Sequence, residues 1–235
     1  MMKRWLCALL ALAALALAPG ALSEGGEGTI VQSSCNIVQS GDYYLVYCFA
    51  QVHNGSDQII CLDRGMLELR NGEQFVADEE VTQMWPYFVG PGEDGYLFDV
   101  VAFEPNEDGI VVPAVTGLEY YLQYMTVEAQ YAGQGLACAP RIERDESDGS
   151  LYVVCELQNP TQTPAYDPSV AFALYTEGGA MIYAGGMTLQ SVGVPAGGTT
   201  LARFAVDDVF VKQWESYGVT PARAQARAIF RNDAD

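Results

Sequence analysis

One arrangement of strand-like segments occurs twice in this 235-residue chain. Residues 44–55 and 151–160 are both aromatic- and valine-rich runs that end in an asparagine followed by a turn-forming residue. When Asn54 is superposed on Asn159, Leu67 falls on Phe172 and Leu69 falls on Leu174 without a gap. A repeat of this length, with its segments in the same order, indicates two duplicated domains.

The later segments of the two copies also correspond. A glycine- and proline-containing turn, at residues 90–92 and 194–197, leads into an apolar run at residues 96–101 and 201–206. Each copy is then expected to close with a strand, at residues 125–131 and 223–230. Short alternating segments separated by turns are typical of antiparallel β-sandwiches. We therefore predict an all-β fold with domains at residues 24–131 and 138–235, joined by a linker at residues 132–137.

One short helix is predicted in the second copy. Asp207 is suited to cap its N-terminus, and Gly218 is suited to end it. Between them, Val211, Trp214 and Tyr217 follow a helical spacing and are expected to face the core.

The second copy contains the run Phe172-Ala173-Leu174-Tyr175 after its asparagine turn. This pattern resembles the FxLYD family, although Thr176 stands where that family has aspartate. The first copy departs further, with Leu67, Leu69, Arg70 and Asn71 at the corresponding positions. The resemblance implies tandem immunoglobulin-like β-sandwiches of secreted or envelope proteins from prokaryotes, and it implies no catalytic residues.

Residues 1–23 have the pattern of a cleaved export signal. Lys3 and Arg4 precede an apolar run at residues 5–18, and small residues precede a predicted cleavage after Ser23. The run is shorter than the ~20 residues that a membrane-spanning helix needs. We therefore expect a secreted or extracytoplasmic protein with no membrane span after signal removal.

Export permits disulfide bonds, and the mature chain contains five cysteines. Cys35 and Cys48 flank one turn-like segment, and Cys138 and Cys155 flank another. This spacing predicts two local bridges, Cys35–Cys48 and Cys138–Cys155, with Cys61 left unpaired. The alternative is that the cysteines are small buried thiols that pack as hydrophobic residues.

The formal net charge of the chain is -19, which disfavours nucleic-acid binding. The charge is divided unevenly: residues 24–131 contain 18 acidic and two basic residues, whereas residues 132–235 contain 12 and seven. Acidic runs at residues 78–80, 104–108 and 145–149 could offer oxygen ligands to calcium, but they lack EF-hand spacing and are more simply explained as solvated loops. No metal and no cofactor are predicted.

Nucleophilic triads would have to use His53, the only histidine. His53 lies at the end of an apparent strand, where a structural surface position is the simpler interpretation. No nucleotide-binding loop is present. We therefore expect a non-enzymatic binding or scaffolding protein whose partner, a protein or a glycan, is unknown.

Two alternative functions remain open. One is a carbohydrate-binding protein that uses Trp85, Tyr87 and Tyr121 as exposed aromatic contacts. The other is a hydrolase with two carboxyl groups facing each other across a cleft. Separately, Asn54-Gly55-Ser56 fits a glycosylation sequon but is equally a turn after a strand.

Overall fold

A computed structural model describes residues 28–104 and 113–231. The described chain is all-β with one short helix, which confirms the predicted fold class. Its elements are β1 (Gly28–Ser40), β2 (Tyr43–Asn54), β3 (Ile59–Asn71), β4 (Gln74–Val81), β5 (Asp94–Phe103), β6 (Gly117–Val127), β7 (Gln134–Arg144), β8 (Leu151–Gln158), β9 (Ala165–Tyr166), β10 (Ser169–Tyr175), β11 (Met181–Thr188), β12 (Gly193–Val194), β13 (Thr199–Val206), α1 (Asp208–Ser216) and β14 (Arg223–Phe230).

Strands β1 to β6 form two three-stranded antiparallel sheets, in the orders β1-β2-β5 and β4-β3-β6. Alternate residues of β2, including Val46, Cys48 and Ala50, point into the space between these sheets and are fully buried. Leu67 and Leu69 of β3 meet them from the opposite sheet. This arrangement is a sandwich with its own apolar core.

Six strands of the second copy form one array in the order β11-β10-β14-β7-β8-β13, and β9 pairs with β12 in a separate two-stranded sheet. The long strand β7 joins the two halves of the array, because residues 134–136 pair with β14 and residues 137–144 pair with β8. Phe172 and Leu174 lie in the core of this second sandwich, as Leu67 and Leu69 do in the first.

The boundary between the copies differs from the predicted linker at residues 132–137. Residues 134–137 are already the start of β7, and the connection from β6 occupies residues 128–133. The glycines of this segment resemble a flexible linker, but Gly135 pairs with Ile229 in the sheet. Pairing to a distant strand overrides the local preference of these residues.

The closing strand of the first copy begins and ends earlier than the predicted residues 125–131. It runs from Gly117 to Val127, whereas residues 128–131 form a turn in which the Tyr131 amide donates to the Glu128 carbonyl. Its register against β3, with Tyr120 opposite Leu67, is set by burial of Tyr120 and Leu122. The corresponding strand in the second copy, β14, lies where it was expected.

Helix α1 begins after Asp207, whose carboxylate accepts a hydrogen bond from the Val209 amide at 3.0 Å. This is the N-cap that the sequence predicts. Val211 and Trp214 are buried as expected, but Tyr217 is exposed, so its predicted core position is wrong. Tyr217 is the C-cap residue, and the chain turns away at Gly218, which has φ +69°.

The two sandwiches pack face to face through the outer surface of β1-β2-β5. Phe49 and Tyr96 on that surface enter the core of the second sandwich. The Tyr175 hydroxyl of β10 donates to the side-chain oxygen of Gln51 at 3.0 Å, and Arg227 of β14 donates to the Asp94 carbonyl at 2.9 Å. The repeats therefore share one continuous packed interior.

The predicted export signal at residues 1–23 lies outside the described residues. Within the part of the chain that the structure covers, no helix has the length and apolarity needed to cross a bilayer.

Candidate ligand-binding site

The segment between β4 and β5 carries two of the three aromatic residues proposed as ligand contacts. Trp85 exchanges backbone hydrogen bonds with Tyr96 at 2.8 and 2.7 Å, which anchors the segment to β5. The Trp85 ring packs directly on Gly186 of β11, in the second sandwich. Tyr87 contacts the Trp85 ring, with 4.8 Å between ring centroids, and leaves 40% of its own surface exposed.

Tyr121 lies elsewhere, on the outer face of the β4-β3-β6 sheet. It is 39% exposed, stands opposite Met66, and donates its hydroxyl to Glu119 at 3.0 Å. The structure therefore joins Trp85 and Tyr87 in one site and separates Tyr121 from them. A single aromatic platform made of all three residues is not formed.

Tyr87 lines a pocket of about 390 Å³ between the two sandwiches. Met84 and Phe88, from the same segment, continue this wall, and Leu62 of β3 lies beside them. The volume is within the range of about 300–1,000 Å³ that is typical of small-molecule sites.

The second sandwich supplies the opposite wall through one row of adjacent strands. Ser169 of β10 pairs in register with Thr188 of β11 on one side and with Ile229 of β14 on the other. All three line the pocket. Two hydroxyl groups and one branched apolar side chain are thus placed side by side.

Ser169 is the most informative of these residues. It is only 7% exposed, and its hydroxyl oxygen is buried without a hydrogen-bond partner among the described residues. A buried polar group left unsatisfied costs about 1–3 kcal/mol. A bound molecule that hydrogen-bonds to this hydroxyl would remove that cost.

Two charged residues and one thiol also line the pocket. Asp167 and Arg231 lie on its second-domain side, and Asp167 accepts a hydrogen bond from the Ser191 amide at 2.6 Å. Asp167 has φ +45°, a conformation that non-glycine residues rarely adopt. Cys61, the cysteine left over in the predicted pairing, also lines the pocket, and burial raises the pKa of its thiol.

The structure contains neither predicted disulfide bridge, because all five cysteines among the described residues are free thiols. Cys35 does stand directly opposite Cys48, and desolvation raises the pKa of Cys35 to about 11. Cys138, in contrast, stands opposite Leu157, so it meets Cys155 only diagonally. Four of these thiols, those of Cys35, Cys48, Cys138 and Cys155, pack in or against the sandwich cores, as in the alternative interpretation.

A second polar cluster lies inside the first sandwich. Cys35, Cys48 and Asp99 form a row across β1, β2 and β5. Burial, together with nearby Glu79, raises the pKa of Asp99 to about 7. One carboxylate oxygen of Asp99 and the hydroxyl of Tyr120 are buried without partners among the described residues.

No group of metal-binding side chains is found in the two described segments. Of the acidic runs, residues 105–108 lie outside these segments. Residues 78–80 belong to β4, and residues 145–149 form a turn in which the Gly149 amide donates to the Asp145 carbonyl.

His53 belongs to a hydrogen-bond network at the interface between the two sandwiches. Its Nδ1 atom lies 2.9 Å from one oxygen of Asp94, and the other oxygen accepts a hydrogen bond from Gln51 at 2.9 Å. Gln51 in turn accepts from Tyr175, so this network joins the two sandwiches. Lys212 pairs with Asp208 at 3.3 Å on the exposed face of α1.

Ser169, Thr188 and Gly186 were not identified from the sequence. They are small residues within strands, and no motif or spacing marks them. The one available signal is that β10 is apolar or small throughout, which indicates a strand covered on both faces.

No protein-family model matches this chain, and no curated protein matches it. Among solved structures, it is similar to a transglutaminase from red sea bream, with 12% identity and a TM-score of 0.23. The match covers 86% of this chain and 29% of that structure. A likeness of this degree indicates nothing about activity.

Proposed function

We propose that this chain is an exported, non-enzymatic binding protein of the cell envelope or extracellular space, and that its ligand occupies the pocket between the sandwiches. The main support is Ser169, a buried hydroxyl without a partner that lines a pocket built by both repeats. Sites between domains are common places for ligands.

The groups in the pocket favour binding over catalysis. Its walls are mainly apolar side chains and hydroxyl groups, with one carboxylate and one guanidinium. His53 is not among the lining residues and is held by Asp94. The resemblance of Phe172-Ala173-Leu174-Tyr175 to FxLYD domains supports the same proposal, because those domains are found in exported proteins.

Filling the pocket tests the proposal. The mature chain is screened by thermal shift against defined soluble saccharides, amino acids and short peptides. A ligand at about 100 times its dissociation constant adds roughly 2.7 kcal/mol of stability. Thr188→Trp should abolish the shift, because the indole would occupy the pocket.

Thr199→Trp is the control, since Thr199 is exposed at the start of β13 and does not line the pocket. It should retain every shift. The proposal fails if no compound stabilises the protein, or if the stabilising compounds are unaffected by Thr188→Trp.

A further inference from the structure

The pocket combines an exposed aromatic ring, two adjacent hydroxyl groups and an apolar wall. From this combination we infer that it binds an N-acetylated amino sugar. The inference rests on the proposed function and specifies the class of ligand for the same site.

The Tyr87 ring provides a surface for the apolar face of a pyranose. The Trp85 ring packs against the Tyr87 ring. Trp85 is itself positioned by its backbone hydrogen bonds to Tyr96 and by its packing on Gly186. A ring held in place loses little conformational freedom when a sugar stacks on it. The exposed 40% of Tyr87 is available for this contact.

The row Thr188, Ser169, Ile229 matches an acetamide group. A carbonyl or N–H of the acetamide would satisfy the Ser169 hydroxyl once that side chain rotates towards the pocket, because its oxygen is enclosed in the structure. The acetyl methyl group would lie against Ile229, directly next to Ser169 in register. A plain hexose has no methyl group to cover this apolar wall.

Charge favours a neutral ligand over a phosphorylated or carboxylated one. The pocket itself contains one carboxylate and one guanidinium, from Asp167 and Arg231, and the first domain beside it carries 18 acidic and two basic residues. This negative field repels anions. N-acetylated amino sugars combine a neutral charge with the mixed polar and apolar surface of the pocket.

Calorimetry with two matched pairs of sugars tests the inference on the mature chain. The probes are N-acetylglucosamine against glucose, and N,N′-diacetylchitobiose against cellobiose. Each acetylated sugar should bind at least tenfold more tightly than its partner, because one buried hydrogen bond and one methyl contact are added.

Variants locate the binding site. Tyr87→Ala should weaken binding of the acetylated sugars at least tenfold, and Tyr121→Ala should leave it unchanged, since Tyr121 is equally exposed on another face. Ser169→Ala should weaken it about fivefold without loss of thermal stability, because it removes a hydroxyl that has no partner in the described protein. Bound sugar should also slow alkylation of Cys61, as followed by peptide mass spectrometry.

Equal affinity for the acetylated and plain sugars would overturn the inference, as would binding that is insensitive to Tyr87→Ala. If no sugar binds, but other compounds give shifts that Thr188→Trp abolishes, the inference fails and the proposed function stands. If no compound stabilises the protein at all, both fail.

Discussion

Asn54 and Asn159 make the same four hydrogen bonds in the two sandwiches. Each side-chain amide donates to two backbone carbonyls, four and 35 residues further along the chain. Each side-chain oxygen accepts from the amide and the hydroxyl of the residue two positions later, Ser56 or Thr161. Both asparagines are completely buried, so Asn54 acts as the turn residue and not as an exposed glycosylation site.

Replacing either asparagine by alanine should destabilise the protein to a similar extent. The substitution removes all four hydrogen bonds and leaves the partly buried amide of Ser56 or Thr161 without its acceptor, so we expect a loss of about 3 kcal/mol in the free energy of unfolding. Chemical denaturation of Asn54→Ala and Asn159→Ala measures this loss, with the exposed Asn71→Ala as control. A loss below about 1 kcal/mol in either buried variant would contradict the shared role.

Asp99 should make the protein less stable as the pH rises. Burial, with a smaller effect of Glu79, raises its pKa from 3.8 to about 7, so the folded state keeps a proton that the unfolded state releases. The contribution of Asp99 to the free energy of unfolding is therefore fully present below the pKa of the unfolded state. It is lost as the pH rises through the pKa of the folded state, near 7. Between about pH 4 and pH 8 this loss amounts to about 4 kcal/mol.

Asp99→Asn isolates this effect, because asparagine does not titrate. The free energy of unfolding of the wild type, minus that of the variant, should fall by that amount across the same pH range. If the difference in the free energy of unfolding between wild type and variant did not change with pH, Asp99 would have the same pKa in the folded and unfolded states.

Gly186 should be intolerant of a side chain. A Cβ atom at this position would overlap the Trp85 ring, which lies against it across the interface between the sandwiches. Gly186→Ala should therefore cost about 1–3 kcal/mol through overpacking. Gly135→Ala is the matched control, since a Cβ atom there would meet nothing within 4 Å. Equal unfolding midpoints for the two variants would disprove this account of the interface.

Cys138 should be more reactive towards alkylating reagents than its burial suggests. Its thiol interacts with that of Cys155 through a hydrogen bond that lowers the pKa of Cys138, and the pKa of Cys155 is raised by the same interaction. Since the thiolate is the reactive form, Cys155→Ala should slow iodoacetamide labelling of Cys138. The control Cys48→Ala lies in the other sandwich and should leave the labelling rate of Cys138 unchanged. An unchanged labelling rate of Cys138 in Cys155→Ala would refute the interaction.

The repeat and the elements within it were determined by residues close together in sequence. Alternating apolar residues and turn formers define β2, β3, β8 and β10, because side chains in a strand alternate between two faces. The cap at Asp207 and the end at Gly218 similarly define α1 through interactions within a few residues. The correspondence between Asn54 and Asn159 follows from this local pattern, and the two residues also make equivalent hydrogen bonds.

The tertiary structure alone decided how the sandwiches meet and where the pocket lies. Ser169, Thr188 and Gly186 carry no local signal. They acquire their roles only because Trp85 packs on Gly186 and Tyr87 lies across the pocket from Ser169 and Thr188. The offset between Cys138 and Cys155 is likewise a matter of strand register, which spacing along the chain does not specify. Periodicity identifies which face of a strand is covered, but shape complementarity between whole sheets selects the partner that covers it.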